Sequence, residues 1–189
     1  MELRALDAQK TRWLYEQKML RDFPRSELKQ LSAILRLMDG GVYDVFGAYE
    51  GEEMAAYALI FRPRGSRVML LDYLAVEPHL RSHGVGAVLL KLLRAHYAHS
   101  ADALFIECER PKAAPDEAMA RRRIRFYERS GAKMTPVRIA LFGVEYSILV
   151  LPCAENVDVQ QDWAQQMLFV YRQMLPPHLF ERSVQLIRA

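Results

Sequence analysis

The segment that most constrains the fold lies mid-chain, where an apolar strand passes through a glycine-containing loop directly into a helix. Residues 68–76 are apolar apart from Asp72, which predicts a central β-strand. The loop carries Arg81, Gly84 and Gly86, and apolar residues at helical spacing follow at once and predict a helix from Gly84. Glycine lets backbone approach a ligand closely, and a helix N-terminus presents N–H groups and a positive dipole end. The segment therefore predicts a cradle for a diphosphate.

Two common diphosphate motifs do not fit this loop. The dinucleotide-binding fingerprint needs a third glycine where this chain has Leu89, and predicted antiparallel strands precede the loop. A P-loop needs Gly-Lys followed by a hydroxyl residue, and neither occurs here. The loop thus predicts another type of nucleotide-containing ligand.

The first 40 or so residues are predicted to be helical. One helix is expected from Asp7 to Leu20. A second is expected after Ser26, which is interpreted as its N-cap, and it ends at Gly40-Gly41.

Residues 42–152 alternate strands and helices. Hairpins are predicted at both ends of this zone, and a parallel, right-handed strand–helix–strand unit lies between them. The expected strands are residues 45–49, 54–62, 68–76, 103–107, 137–142 and 144–151, and the expected helices are 84–98 and 117–129. This order predicts an α/β fold with a mixed, mostly antiparallel central sheet flanked by helices.

Composition excludes several classes of protein. Apolar residues make up 51% of the 189 residues and charged residues 26%, which argues against disorder. The longest apolar stretch, residues 54–61, is too short for a bilayer, and the first residues lack the apolar core of a signal peptide. A net charge of +3 without a basic stripe argues against nucleic-acid binding. Two cysteines without a Cys/His cluster predict a cytoplasmic protein without a metal site.

Two motifs resemble those of the GNAT superfamily of N-acetyltransferases. The residues Arg-Ser-His-Gly-Val-Gly at 81–86 match the family's Arg/Gln-x-x-Gly-x-Gly/Ala pattern, after Leu-Ala-Val at 74–76. The stretch Phe-Tyr-Glu-Arg-Ser-Gly-Ala at 126–132 resembles the family's late helix, whose tyrosine lies near the coenzyme sulfur. The resemblance covers residues 1–152, interpreted as the acyltransferase domain, and leaves 153–189 as a C-terminal extension.

The resemblance implies that acetyl-CoA, or another acyl-CoA, is the acyl donor and that no metal is needed. The backbone of the strand before the loop would pair with pantetheine, and the loop amides would hold the pyrophosphate. Tyr127 would lie at the sulfur. The implied coenzyme-binding residues are Leu74, Ala75, Val76, Arg81, Ser82, His83, Gly84, Val85, Gly86, Ala87 and Tyr127.

Acyl transfer to an amine also needs acid–base groups. Tyr127 is the predicted acid for the CoA thiolate, with simple ring packing as the alternative. Glu107 and Asp72 are the candidate bases because they lie on predicted central strands, and a water relay or an amine that arrives neutral stays open. Strand alternation predicts that Asp72 and Tyr73 point to opposite faces.

The acceptor is expected to be a primary amine of a small molecule or a peptide. A non-catalytic acyl-CoA sensor on the same fold is the alternative, and O- or thiol-acyl transfer is a weaker one. Residues 121–129 hold a cluster of arginines, interpreted as a solvated helix face or as a contact for the 3′-phosphate of CoA or an acidic acceptor.

The C-terminal extension carries apolar residues at helical spacing from Trp163 to Met174, followed by a second short helix. Three interpretations of the first helix remain open. It packs on its own domain, forms a homodimer contact, or covers the acceptor site.

Overall fold

The computed structural model describes residues 1–158 and 161–187 of the chain. The chain divides into two compact units. Unit 1 comprises Met1–Arg62 and Asp72–Leu92, and unit 2 comprises Pro63–Leu71 and Leu93–Ala189.

The secondary structure alternates strands and helices as predicted. A π-helical segment, Tyr15–Met19, joins the first two helices, and a 3-10 turn, Pro78–Leu80, precedes the fourth. The helices are α1 Ala8–Leu14, α2 Leu20–Asp22, α3 Leu31–Asp39, α4 Val85–Tyr97, α5 Glu117–Arg129, α6 Ala164–Met174 and α7 Pro177–Ser183. The strands are β1 Glu2–Ala5, β2 Tyr43–Glu50, β3 Glu53–Phe61, β4 Val68–Val76, β5 Ala103–Glu109, β6 Lys133–Leu141, β7 Val144–Pro152 and β8 Val184–Leu186.

The strands of the described chain form a sheet in the order β1-β2-β3-β4-β5-β7-β6-β8. Strands β4 and β5 pair in parallel, as expected across a helical crossover. Antiparallel registers join β1 to β2, β2 to β3, β5 to β7, and β6 to both β7 and β8. The predicted fold class, a mixed and mostly antiparallel sheet with helices, is confirmed.

In unit 1 the sequence-based prediction is wrong at two points. Residues 2–5, which were expected to belong to a helical zone, form strand β1, paired with β2 from Glu2 with Tyr49 to Ala5 with Phe46. Ser26 is not a helix cap, because α3 begins after Gln30. Asp7 does cap α1, since its carboxylate accepts a hydrogen bond from the Lys10 amide at 2.8 Å.

Unit 2 contains β5 to β8 and α5 to α7. Helix α5 has the predicted bounds, and Asp116 caps it by accepting from the Met119 amide at 2.8 Å. The final hairpin also forms, with Leu141 opposite Val144 around its turn. Strand β6 begins earlier than the apolar pattern indicates, at Lys133, and β7 ends one residue later, at Pro152.

The C-terminal extension contributes to the sheet as well as adding helices. Helix α6 lies where the apolar spacing predicts it. The second short helix was expected from Leu179, Phe180, Val184 and Ile187, but α7 includes only the first two of these residues. The extension is therefore not purely helical, because Val184 begins β8, which pairs with β6 opposite Leu141. This short strand forms because β6 offers it an edge.

Candidate functional site

A glycine turn joins β4 to α4 in unit 1. After the 3-10 turn, Ser82 and Gly84 have φ angles of 66° and 81°, both in the left-handed region. A Cβ at Gly84 would meet no atom within 4 Å, so the turn is open on that side. The predicted strand–loop–helix arrangement is therefore present, with room beside its backbone.

The backbone amides of this turn differ in their hydrogen bonds. The His83 amide donates to the Leu80 carbonyl at 3.4 Å, and the Ala87 amide donates to the Gly84 carbonyl at 3.0 Å. Amides at the start of a helix have no acceptor inside the helix. Among the described residues, the amides of Gly84, Val85 and Gly86 have no protein acceptor. Of the five predicted phosphate-binding amides, these three are available to an anion.

The C-terminal half of β4 leads into this turn. The described parallel register of β4 with β5 runs from Val68 to Leu71, whose partner is Ile106. Leu74, Ala75 and Val76 lie beyond its end. The Val76 carbonyl accepts a hydrogen bond from the Arg81 Nε at 3.2 Å, which ties the strand end to the loop.

Arg81 also makes an ion pair within unit 1. Its Nη2 lies 3.2 Å from a carboxylate oxygen of Asp22, whose side chain is only 2% exposed. The Tyr57 hydroxyl donates to the other carboxylate oxygen at 2.9 Å. The Arg81 side chain therefore anchors the loop to α2, where it shares the Asp22 carboxylate with Arg21.

Glu77, directly after β4, was not singled out from the sequence. Its carboxylate lies 2.5 Å from the Lys18 Nζ and 3.2 Å from the Arg21 Nη2. Burial by itself would raise the pKa of Glu77, but the hydrogen bonds from Lys18 and Arg21 outweigh burial and the pKa is lowered. In the sequence, the one feature that could have marked Glu77 was its position as a carboxylate at the end of a predicted central strand. Its cationic partners lie more than fifty residues away in the sequence.

Asp72, a candidate base, is held in a second ion pair of unit 1. The Lys29 Nζ lies 2.7 and 2.8 Å from its two oxygens, and the Tyr43 hydroxyl also donates to it. The Asp72 side chain is 7% exposed. Its surroundings are those of a structural carboxylate that pins the chain before α3 to β4.

Tyr73 contacts the same chain segment. Its hydroxyl donates to the Glu27 carbonyl at 2.8 Å and accepts from the Lys29 amide at 2.9 Å. Burial raises its pKa to about 12, so the phenol is neutral. Lys29 contacts both Asp72 and Tyr73. The tertiary use of its amide explains why the helix does not begin at Ser26.

Tyr127, the predicted acid, lies on the buried side of α5 in unit 2. Burial, followed by the nearby Cys108, raises the pKa of Tyr127 well above its ordinary value, while Arg123 lowers it. The Cys108 thiol is fully buried, and burial raises its pKa to about 12. Both groups therefore carry their protons at neutral pH, and Cys108 has the surroundings of a structural thiol.

Glu107, the other candidate base, accepts a hydrogen bond from the Tyr171 hydroxyl of α6. Side chains alternate along a strand, so Glu107 and Phe105 share one face of β5, whereas Cys108 points to the other. Phe105 packs edge-on against Trp163 at 5.6 Å between ring centroids. The C-terminal extension thus contacts the strand that carries the candidate base, which the sequence did not predict.

The arginines of α5 divide into two groups. Arg121 and Arg123 form ion pairs, with Glu117 at 2.5 Å and Glu109 at 3.6 Å. Arg121 and Arg125 border a groove of about 400 Å³ between α5 and the final hairpin. The groove is lined by Pro111, Arg121, Ile124, Arg125, Glu128, Met134, Thr135, Arg138 and Ser147.

The described part of the chain contains neither a candidate metal site nor a candidate membrane-spanning helix. Within residues 1–158 and 161–187, no group of three or more His, Cys, Asp or Glu side chains could hold a metal ion. None of the helices in this described part is long and apolar enough to cross a membrane.

Comparison with known proteins gives one family. The sequence model of the family described as "Acetyltransferase (GNAT) family" matches residues 4–132. A search of curated proteins finds no match.

Three solved structures are similar over most of the chain. A protein from Bacteroides thetaiotaomicron, assigned to the GNAT family, is 19% identical over 93% of this chain and 100% of its own, with a TM-score of 0.72. The ribosomal-protein-S18-alanine N-acetyltransferase of Escherichia coli is 19% identical over 85% and 98%, with a TM-score of 0.60. A chimera of spermidine N-acetyltransferase from Vibrio cholerae and hSSAT is 10% identical over 81% and 96%, with a TM-score of 0.62. At these identities the likeness shows a shared fold.

Proposed function

Since the chain belongs to the GNAT family of acetyltransferases, we propose that it transfers an acetyl group from acetyl-CoA to a primary amine of a small molecule or a peptide. The observation that carries this proposal is the end of β4 in unit 1. There, the last residues of β4 lie beyond the described pairing of β4 with β5 and lead into a glycine turn. Three backbone amides of this turn have no acceptor within the described chain and are available to a ligand. An acyl-CoA thioester matches this order of backbone groups, because its long polar arm can pair with the strand and its diphosphate can bind the turn amides.

The residues present fit such a ligand. Leu74 and Ala75 would pair with the amides of the pantetheine arm as an added strand would. The amides of Gly84, Val85 and Gly86 would donate to the diphosphate at the N-terminus of α4. Acetyl-CoA supplies the activated acyl group, and the protein places it and manages the protons.

Tyr127 is the proposed general acid. The acceptor nitrogen forms a bond to the acyl carbon, the carbon–sulfur bond breaks, and the phenol gives its proton to the departing sulfur. The buried phenol holds its proton across neutral pH, so it is always in the donor form. The same burial makes it a weaker acid than a thiol, so donation to sulfur requires the bound reactants to stabilise the phenolate.

Glu107 is the proposed base, which takes a proton from the acceptor ammonium. The alternative, Asp72, already forms a two-oxygen ion pair with Lys29, and a base in such a pair would have to give up that partner.

We also propose a cytoplasmic location and packing of the extension on its own domain. Both cysteines are free and buried, which supports a reducing compartment. Trp163, Met167, Val170 and Tyr171 are all fully buried within the chain. Their burial supports packing within the domain over the homodimer and lid alternatives.

The test is release of free CoA thiol from acetyl-CoA with spermidine, an Ala-terminated peptide and a lysine peptide as acceptors. We expect turnover with at least one amine. We expect Tyr127→Phe to lower kcat about 100-fold or more while CoA binding is unchanged. Tyr49→Phe, which removes a hydroxyl on β2, is the control.

Two results would count against the proposal. CoA binding without turnover across the panel would favour the non-catalytic sensor. Equal kcat for Tyr127→Phe and wild type would remove the acid role and leave the transfer reaction in place.

A further inference from the structure

The groove between α5 and the final hairpin holds two arginines that the proposed function does not use. Of the three arginines in its lining, Arg121 pairs with Glu117 at 2.5 Å. The side chains of Arg125 and Arg138 have no hydrogen-bond or carboxylate partner among the described residues. Arg138 is half-buried, and a guanidinium partly removed from water is stabilised by an acceptor. The groove therefore offers two unpaired cations within unit 2.

A buried serine hydroxyl lies beside one of these cations. Ser147 on β7 is directly opposite Arg138 on β6, so both side chains lie on one face of the sheet, with Cβ atoms about 4.5–5.5 Å apart. Ser147 is only 9% exposed and lines the groove, yet its hydroxyl has no partner in the described part of the chain.

A second hydroxyl in the lining shows the contrast. The Thr135 hydroxyl donates to the Ile148 carbonyl at 2.8 Å and accepts from the Val137 amide at 3.2 Å, so its hydrogen bonds are satisfied within the sheet. Buried hydroxyls normally have such partners. The unused donor of Ser147, next to an unpaired guanidinium, thus points to an acceptor that enters the groove.

The charges and the shape of the groove favour one class of ligand. Arg125 and Arg138 carry one positive charge each, and the Glu128 carboxylate, three residues after Arg125 on the same helix face, leaves a balance of one positive charge. A carboxylate carries one negative charge and matches this balance, whereas a phosphate monoester carries about 1.5 to 2. Ile124 and Met134 add apolar surface, and a volume of about 400 Å³ is that of a small-molecule site.

We propose that this groove binds a small organic carboxylate that carries an apolar group. The carboxylate accepts hydrogen bonds from the guanidiniums of Arg125 and Arg138 and from the Ser147 hydroxyl, and the apolar group packs on Ile124 and Met134. The site uses residues of unit 2 alone, and it is independent of the proposed transferase activity.

Ligand-observed NMR titration of the full chain tests this site with three matched probes. Phenylacetate carries the carboxylate, phenylacetamide is its neutral analogue, and phenyl phosphate presents a phosphate monoester. The variants are Arg125→Gln, Arg138→Gln and Ser147→Ala. Arg122→Gln is the control, because Arg122 is an exposed arginine of α5 outside the groove lining. Thermal melts check that each variant is folded.

We expect phenylacetate to bind with a millimolar Kd, because a ligand this small has few atoms to contribute. Phenylacetamide should bind about tenfold more weakly or less, and phenyl phosphate should bind no more tightly than phenylacetate. Arg138→Gln and Arg125→Gln should each raise the Kd for phenylacetate about tenfold, the loss of a hydrogen bond to a charged group. Ser147→Ala should raise it about two- to tenfold, and Arg122→Gln should leave it unchanged.

Four results would overturn the proposal. The wild type could fail to bind phenylacetate, or bind phenylacetamide equally well, which would show binding by the apolar group alone. Tighter binding of phenyl phosphate would replace the carboxylate by a phosphate ester. An unchanged Kd in the folded groove variants, or the same loss in Arg122→Gln, would remove the groove as the site. If Arg138→Gln does not fold, Arg125→Gln and Ser147→Ala decide the question. None of these results alters the thiol-release test of the proposed function.

Discussion

The glycine turn after β4 allows a sharp test, because the chain contains a matched control for it. Gly84 has φ +81° and no atom within 4 Å of where a Cβ would stand, and Gly143 has φ +82° and the same open space. Gly84 begins the proposed diphosphate cradle in unit 1. Gly143 forms the turn of the β6–β7 hairpin in unit 2. Substituting alanine at either position changes the same backbone preference by the same chemical group.

The magnitude follows from the backbone conformation alone, since neither substitution creates a clash. A residue other than glycine pays about 1–2 kcal/mol in the left-handed region. Each variant should therefore lose that much stability, a fall of about 2–8 °C in Tm for a chain of this size. In Gly84→Ala the free turn can relax out of this conformation, and CoA binding must then restore it. The share of this free energy that the relaxation removes from the loss of stability must be supplied on binding instead, and it weakens CoA binding by at most about 5- to 30-fold.

The assay is calorimetric titration of CoA into the wild type, Gly84→Ala and Gly143→Ala, with a thermal melt of each. We expect both variants to melt lower, and only Gly84→Ala to show a higher Kd. Wild-type affinity in a destabilised Gly84→Ala protein would refute the cradle. An equal loss of affinity in both variants would show that the effect is general destabilisation.

Two further predictions concern titratable groups. The pKa of Glu77 is lowered from 4.5 by its hydrogen bonds to Lys18 and Arg21, so its contribution to stability is present above pH 4.5 and is lost as pH falls through the lower folded value. Glu77→Gln should therefore be less stable than wild type at pH 7, and the difference should shrink in urea titrations at decreasing acid pH; a constant difference would contradict the ion-pair account. Cys108, with its pKa raised to about 12, should resist iodoacetamide in the native protein at pH 8 and react only in denaturant, whereas fast native labelling followed by mass spectrometry would show an accessible thiol.

The sequence predicted those elements whose signal is local. An apolar run gave the bounds of β4, and the helix predicted over residues 117–129 is α5. The loop at Gly84 was predicted because glycine lets the backbone approach a ligand closely, and Gly84 has a left-handed φ of 81°. These features depend on residues that are neighbours in the sequence.

Strands β1 and β8 were missed for the opposite reason. Both alternate polar and apolar residues, but over only four and three residues, which is too short to distinguish a strand from other structure. Each is a strand because β2 or β6 provides backbone partners. The pairing satisfies main-chain groups whatever side chains the short segment carries.

The candidate site shows the same division. Sequence alone determined that this chain has a strand, a glycine turn and a helix suited to a diphosphate, together with Tyr127 on a later helix. Only the tertiary structure decided the state of each carboxylate: Asp72 pairs with Lys29, Glu77 with Lys18, and Glu107 with Tyr171. The physical reason is that helical and turn preferences act over a few residues. The partner of a buried charge, in contrast, is whichever group the packed chain brings within hydrogen-bond distance, here 43 to 64 residues away.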